Sequence, residues 1–308
     1  MNIILTGCCG HIGSHIVNNL NTVKKIKKAF IVDNLKSNRF SSLFNIKKNN
    51  KIKFFLLDLN NPKSLDIFKN IKVVIHCASM TNAEKSFDNK KIMFENNLNC
   101  FNTVLNFCKK NNAKLIHLSS TSVYGKQAKI VDETCEKKYL RPQSPYAKIK
   151  LIEENLLKKN NNKIRYNTFR FGTITGVSSG IRFHTAVNKF CFNASLDKPL
   201  EVYKFAMNQY RPYLSLKDAF KVVKFCIEKD FFENDIFNVL STNLTVKQLI
   251  NKIKKYKKKI RVKIVASKIM NQLSYHVDKT KLTSKGIKLD GKIDNDIKDT
   301  LQLLKNLG

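Results

Sequence analysis

The strongest constraint in this chain lies near its start. Gly7-Cys8-Cys9-Gly10-His11-Ile12-Gly13 follows the apolar run Ile3-Ile4-Leu5 and opens a helical pattern with Ile12, Ile16, Val17 and Leu20 on one face. Glycines at G-x-x-G-x-x-G spacing let the backbone turn sharply and come close to a pyrophosphate. The helix N-terminus behind them offers free N–H groups and a positive dipole to the phosphates. Asp33 stands 20 residues beyond Gly13, at the end of the apolar run Phe30-Ile31-Val32. A carboxylate there accepts both hydroxyls of an adenosine ribose and repels a 2′-phosphate, which favours NAD over NADP. Asp58, after a third run at Phe54–Leu57, is placed to meet the adenine amino group.

Short apolar runs then alternate with helical patterns, the mark of βαβ units and a parallel sheet. Val73-Val74-Ile75, Leu115–Leu118 and Tyr166–Phe171 read as further strands. Helices are predicted to start at Asn61-Pro62 and at Ser144-Pro145 by cap logic, and to run from about Lys90 to Lys109. Beyond residue 172 the periodicity is broken by Gly, Ser, His and Asn as far as Pro199. Thr245-Val246-Lys247-Gln248 is a capping box, followed by Val246, Leu249, Ile250 and Ile253 on one face.

A chain of 308 residues suits one large α/β domain or two intimately joined ones. The net charge of +34 is nearly all lysine. With abundant Asn and Ile it reads as the compositional bias of an AT-rich genome, so nucleic acid is not the expected partner, although the charge helps draw in an anionic substrate. Lys254, Lys255, Lys257, Lys258 and Lys259 read as a solvated helix end. The eight cysteines form no C-x-x-C and have no His at zinc-finger spacing, so buried free thiols and no metal site are expected. The chain runs from Met1 almost directly into the glycine motif, leaving no room for a signal peptide. No apolar run approaches the roughly 20 residues needed to span a bilayer. A cytoplasmic protein without membrane contact is expected.

Tyr146-Ala147-Lys148-Ile149-Lys150 puts a phenol and an ammonium on one face of a helix. A phenol with a pKa of about 10 is a poor base at neutral pH. A nearby ammonium and the positive nicotinamide stabilise the phenolate, so Tyr146 can take a hydroxyl proton as hydride leaves the same carbon. Ser120 ends the fifth strand, where parallel sheets place ligands, and its hydroxyl is suited to hold the reacting oxygen.

Taken together these motifs resemble the extended short-chain dehydrogenase/reductase family, and within it the NAD-dependent nucleotide-sugar epimerases and dehydratases. Val32-Asp33-Asn34-Leu35 resembles the second-strand signature of UDP-glucose 4-epimerases. His76-Cys77-Ala78-Ser79 is similar to the family's segment after strand four, Asn97 matches its helix asparagine, and Ser119–Gly125 matches its serine motif. The resemblance implies an α/β Rossmann fold, a doubly wound parallel sheet of about seven strands with a smaller C-terminal substrate domain. Residues 1–171, with a returning strand and helix around 212–240, would bind NAD, and residues 172–211 and 241–308 the substrate.

The resemblance further implies cofactor contacts from Gly7, Gly10, His11, Ile12, Gly13, Asp33, Asn34, Asp58, Leu59, Cys77, Ala78, Asn97, Tyr146 and Lys150, and catalysis by Ser120, Tyr146 and Lys150. Arg211, in Arg211-Pro212-Tyr213-Leu214, takes the place of the arginine that binds the nucleotide diphosphate. Thr121 and Thr173 are expected as further substrate contacts, Thr173 standing where epimerases often carry a diphosphate-binding Asn; the segment Gly180–Asn188 is unlike standard UDP-galactose epimerases, and Arg182, His184 and Asn188 within it are read as substrate-domain contacts. The resemblance also implies a homodimer built from the long helices around 90–110 and 146–159. Family dehydratases carry Asp-Glu where this chain has Thr121 and Ser122, which disfavours dehydration and decarboxylation. Epimerisation of a nucleotide-diphosphate sugar at C4 through a 4-keto intermediate remains. The alternatives are a nucleotide-keto-sugar reductase or dehydrogenase and, in another class, a non-catalytic dinucleotide- or RNA-binding protein.

Overall fold

A computed structural model describes the chain except for residues 45, 47–49, 82–86, 88, 126–129, 267–274 and 307–308. The β-branched and aromatic runs form β1 (Asn2–Thr6), β2 (Lys28–Asp33), β3 (Ile52–Leu56), β4 (Ile71–His76), β5 (Lys114–Ser120), β6 (Tyr166–Phe171) and β7 (Asp235–Val239). They pair in parallel in the order β7-β6-β5-β4-β1-β2-β3. The order reverses between β1 and β4. Loops leaving the carboxyl ends of these two strands diverge there and open a crevice, the place where sheets of this kind bind ligands.

Helices cover both faces, as a parallel sheet requires. The helices α1 (His11–Asn19), α2 (Lys90–Asn111), α3 (Pro145–Lys159), α4 (Ala186–Ser195), α5 (Leu216–Lys229), α6 (Val246–Lys254) and α7 (Asp294–Leu303) follow in chain order. On one face α2 and α3 lie side by side, burying Phe101, Val104 and Leu157 against Ile4, Val74 and Leu115. On the other, α1 and α5 bury Ile16, Val17, Val222 and Val223 against Ile3, Leu5 and Ile31. A separate core joins α4, α6 and α7 through Val187, Cys191, Leu249, Ile253 and Ile297.

Local signals held where they were self-sufficient. Ser144 Oγ accepts from Ala147 N at 3.2 Å with Pro145 in the first turn of α3, and both bonds of the Thr245 capping box are made. Two expectations need correction. No α-helix follows Asn61-Pro62. Residues 61–68 form successive turns closed by bonds to the third residue back, such as Ser64 N to Asn61 O at 3.0 Å and Phe68 N to Leu65 O at 3.0 Å. Asn61 does cap, accepting from Lys63 N at 3.0 Å. Only Leu65 and Phe68 of the segment's large apolar side chains reach the core, while Ile67 stays exposed, so no helical stripe exists to extend the cap into a helix. Conversely, the stretch read as irregular contains α4, whose buried Val187, Phe190, Cys191 and Ala194 do follow helical spacing.

Candidate active site at the carboxyl ends of the sheet

Gly7 adopts φ +67, a left-handed conformation, and a Cβ there would lie 2.6 Å from Ala78 N. A Cβ on Gly13 would stand 2.1 Å from Gly7 O. The loop after β1 is thus pressed against both the loop after β4 and the first turn of α1. Gly10 caps α1 without a side chain, so the helix presents its first N–H groups to the crevice with no side-chain acceptor of its own. Ile12 packs partly against the core. The His11 side chain turns away from the phosphate side: its Nε2 donates to Gly176 O at 2.8 Å. Burial pushes the imidazole down to about 3, which keeps it neutral.

A cleft of about 650 Å³ runs from this loop across the ends of β2 and β4. Gly7, Gly10, Asp33, Asn34, Leu59, Cys77, Ala78 and His184 line it. Asp33 Oδ2 accepts from Cys9 N at 3.0 Å and Oδ1 from Leu35 N at 2.9 Å. These bonds fix the carboxylate at the rim and leave a lone pair on each oxygen for a ribose diol. Leu59, Ala78 and Cys77 supply an apolar wall for an adenine ring. Cradle, carboxylate and wall together fit NAD. Asp58 lies outside this lining. Its carboxylate takes Lys36 Nζ at 2.8 Å and Asn60 N at 3.0 Å. Partial burial works the other way, yet these partners hold the carboxyl well below its usual range. Asn97 sits beneath the lining, bonding Met80 N at 2.8 Å and Met80 O at 3.0 Å, and so shapes the loop after β4.

Asp33→Ala is expected to weaken NAD binding about 10- to 100-fold, the worth of charge-assisted hydrogen bonds to a diol. Cofactor titration followed by fluorescence checks this; unchanged affinity would remove Asp33 from the site.

The residues expected to be catalytic lie on the next strand along, β5, and on helix α3. Ser120 ends β5, and α3 packs on the turn that follows it, Thr121–Tyr124. Lys150 Nζ lies 5.8 Å from the centre of the Tyr146 ring. Burial pushes the Tyr146 phenol up, while the Lys150 ammonium pulls it back. Ser120 Oγ accepts from Ser122 N at 3.2 Å and Ser122 Oγ at 2.9 Å, which leaves its own proton available to an oxygen in the site.

Residues expected on the substrate side divide. Arg182 donates to Thr81 Oγ1, and its charge is felt at Tyr146, which places it near that phenol. His184 lines the cleft. Thr173 joins a small sheet beside Tyr213. Arg211 lies near Tyr213 and Tyr275, where burial lowers its pKa. Thr121 is buried, donating to Phe171 O at 3.3 Å. Asn188 is buried and spends its amide on Arg182 O at 3.0 Å and on Gly176.

Among the buried polar residues that escaped the sequence reading are His117 in β5, and Glu153 and Glu154 in α3. Glu153 follows Lys150 by three positions, a spacing that signals an ion pair on one helix face; their partners across the sheet carry no sequence signal. The cysteines are free thiols, but Cys77 and Cys135 are only partly buried. Cys8, Cys9 and Asp33 bring ligand atoms within 4.8 Å of one another. The Cys9 hydrogen bond and burial push the Cys8 thiol far up, so it stays protonated.

A glycine cradle over a helix N-terminus, a carboxylate at the end of β2 and a Tyr/Lys helix packed beside a strand-end serine define a dinucleotide-dependent protein of the short-chain dehydrogenase/reductase type. The family model described as "NAD dependent epimerase/dehydratase family" matches residues 3–239, and the chain belongs to that family, whose cofactor is NAD. The bifunctional protein gal10 of Schizosaccharomyces pombe is 33% identical over 51% of this chain, which spans only 23% of that relative's length. A putative UDP-glucose 4-epimerase of Methanocaldococcus jannaschii is 27% identical over 77% of this chain and 76% of its own. Among solved structures, the UDP-N-acetylglucosamine 4-epimerase of Methanobrevibacter ruminantium superposes with TM-score 0.85 at 25% identity, covering 98% of this chain and 97% of that one. Among the described residues, no helix is long and apolar enough to cross a membrane.

Proposed function

We propose that the chain is a UDP-sugar 4-epimerase, oxidising a sugar hydroxyl to a ketone and returning the hydride to the opposite face. One observation carries this reading. The two positions after Ser120 hold no acid: Thr121 Oγ1 donates to a backbone carbonyl and Ser122 Oγ donates to Ser120. Tyr146 is then the group left to move a proton, which disfavours dehydration and leaves chemistry that needs one acid–base residue and a hydride acceptor, of which redox-neutral epimerisation is our reading. The epimerase names of the relatives support the same reading.

The glycine loop, Asp33 and the Leu59–Ala78 wall would hold NAD, which supplies a reversible hydride acceptor. Ser120 orients the sugar hydroxyl by hydrogen bonding. Tyr146 accepts its proton and later gives it back, and Lys150 keeps the phenolate stable enough for that exchange. Residues 1–171 with 212–240 form the cofactor half, and 172–211 with 241–308 close over the sugar. Two copies pair through α2 and α3, whose Ile92 and Ile152 are exposed, and free thiols suit the reducing cytoplasm.

The test is a panel of UDP-sugars with the purified protein, read by NMR and mass spectrometry. The expected outcome is a C4 epimer of unchanged mass with no net change in nicotinamide absorbance. A product lighter by one water, or stoichiometric cofactor consumption, would sink the epimerase reading.

A further inference from the structure

Lys150 is not a lone cation beside Tyr146. Its Nζ lies 2.8 Å from Glu153 Oε2, three residues on along α3. The same oxygen takes His117 Nε2 at 2.9 Å from the middle of β5. Both side chains of that ion pair, and His117, are almost completely buried. Burial lowers the His117 pKa despite Glu153, so the ring is neutral; its Nε2 therefore carries the proton, and Nδ1 accepts from Thr168 Oγ1 at 3.2 Å. Thr168, His117, Glu153 and Lys150 make one directed chain across two strands and a helix. Glu153 Oε1 has no hydrogen-bond partner among the described residues, so the carboxylate's contacts all run through the oxygen that holds Lys150.

This arrangement bears on the phenol. An unpaired ammonium stabilises a neighbouring phenolate fully; one paired with a buried carboxylate does so much less, because the two fields largely cancel a few ångströms away. We propose that Glu153 is a positioning residue: seated by His117, it fixes the Lys150 ammonium in place and sets the proton affinity of Tyr146. This rests on the reading of Tyr146 as the acid–base residue. One ammonium N–H is committed to Glu153, which leaves two for other acceptors.

The groups facing the pair are few. Glu153 and Tyr146 share its helix, His117 approaches from β5, and His76 and Cys77 from the end of β4. Arg182 reaches Tyr146 from the loop before α4. Burial keeps His76 neutral, at about 3, and raises Cys77 to about 12, so neither carries charge near neutrality. Cys100 faces the pair from α2, where burial raises its thiol to about 12, and Glu154, felt at His117, is taken up by Arg170, so Glu153 is the anion left in contact with Lys150. Burial opposes the Lys150 charge, but the carboxylate outweighs it and raises the ammonium's pKa; the same carboxylate pushes the phenol up.

The test is an ultraviolet titration of tyrosinate in the NAD-loaded protein, with the Tyr146→Phe protein subtracted so that only residue 146 is read. Glu153→Gln removes the negative charge and keeps the shape. The phenolate is then expected at a pH lower by about one unit or more, and the low-pH limb of kcat/KM should move with it. Glu153→Asp draws the charge back and is expected to move the midpoint the same way by less, which serves if the glutamine variant does not fold. A midpoint at the wild-type value, or one moved upward, in a folded variant overturns the proposal. Because the titration needs no sugar, it stands apart from the UDP-sugar panel: a protein that turns over no sugar yet shows the shift refutes the epimerase reading alone.

Discussion

Replacing Tyr146 with phenylalanine is expected to lower kcat by about 10²- to 10⁴-fold, the usual worth of a positioned acid–base group. Only one oxygen is lost. The ring remains and keeps its place over Lys150, so Tm and the amount of NAD retained should match wild type. That combination separates chemistry from folding and from cofactor binding. KM should change little, since the phenol acts on the proton in transit more than on the resting sugar. Full turnover in the phenylalanine protein would show that another group moves the proton, and an epimerase mechanism run through Tyr146 would fail.

The second large effect is on stability. Glu154 and Arg170 form a bidentate pair between α3 and β6, with Arg170 Nε to Oε1 at 3.0 Å and Nη2 to Oε2 at 2.7 Å. Ser119 Oγ adds a third bond to Oε1 at 2.6 Å, and the guanidinium lies 4.9 Å from the centre of the Tyr124 ring. Both charged side chains are almost wholly buried, and Arg170 Nη1 already lacks a partner among the described residues. Glu154→Ala would strand a cation in the core. Breaking such a pair from one side costs about 3–5 kcal/mol, a fall in Tm on the order of 10 °C. Glu154→Leu combined with Arg170→Met is expected to recover most of that loss, because removing both charges leaves no buried ion unpaired and only the Ser119 hydroxyl without its acceptor. Chemical denaturation of the three proteins checks the cycle. Equal destabilisation in the single and double variants would mean that packing, not charge, holds α3 to the sheet.

Much of this was legible before any coordinates. The glycine loop, Asp33, the Ser144 cap and the Thr245 box are local features: strand, turn, cap and helix lie within a few residues, and local geometry settles them. The Asn61-Pro62 cap was legible too, but a cap only starts a helix, and the residues after it bury too few apolar side chains to continue one. Helix α4 carried its pattern in plain view, hidden by the polar interruptions just before it. The site was read in part. Tyr146, Lys150 and Ser120 announce themselves through spacing and strand position. His117 does not, because its role exists only once β5 and α3 come together, 36 residues apart in sequence. Asn188 and Thr121 read as ligand contacts in the sequence; the fold adds the bonds they make within the protein, to Arg182 O and to Phe171 O and Tyr275, which no local signal announces.

The segment from Gly176 to Gly180 is moored to the cofactor turn. Gly176 O takes His11 Nε2, Ser178 Oγ donates to His11 O at 2.9 Å, and Gly180 N donates to Ser14 Oγ at 3.0 Å. A Cβ on Gly180 would come within 2.3 Å of Cys9 O, so the two backbones touch with nothing between them. The same stretch runs on into Arg182, which bonds Thr81 beyond the end of β4, and His184, which lines the cleft. A shift of either half is therefore mechanically a shift of the other. Thermodynamic reciprocity then ties the dinucleotide to the proposed sugar substrate: whatever factor the sugar adds to the grip on the dinucleotide, the dinucleotide adds to the grip on the sugar.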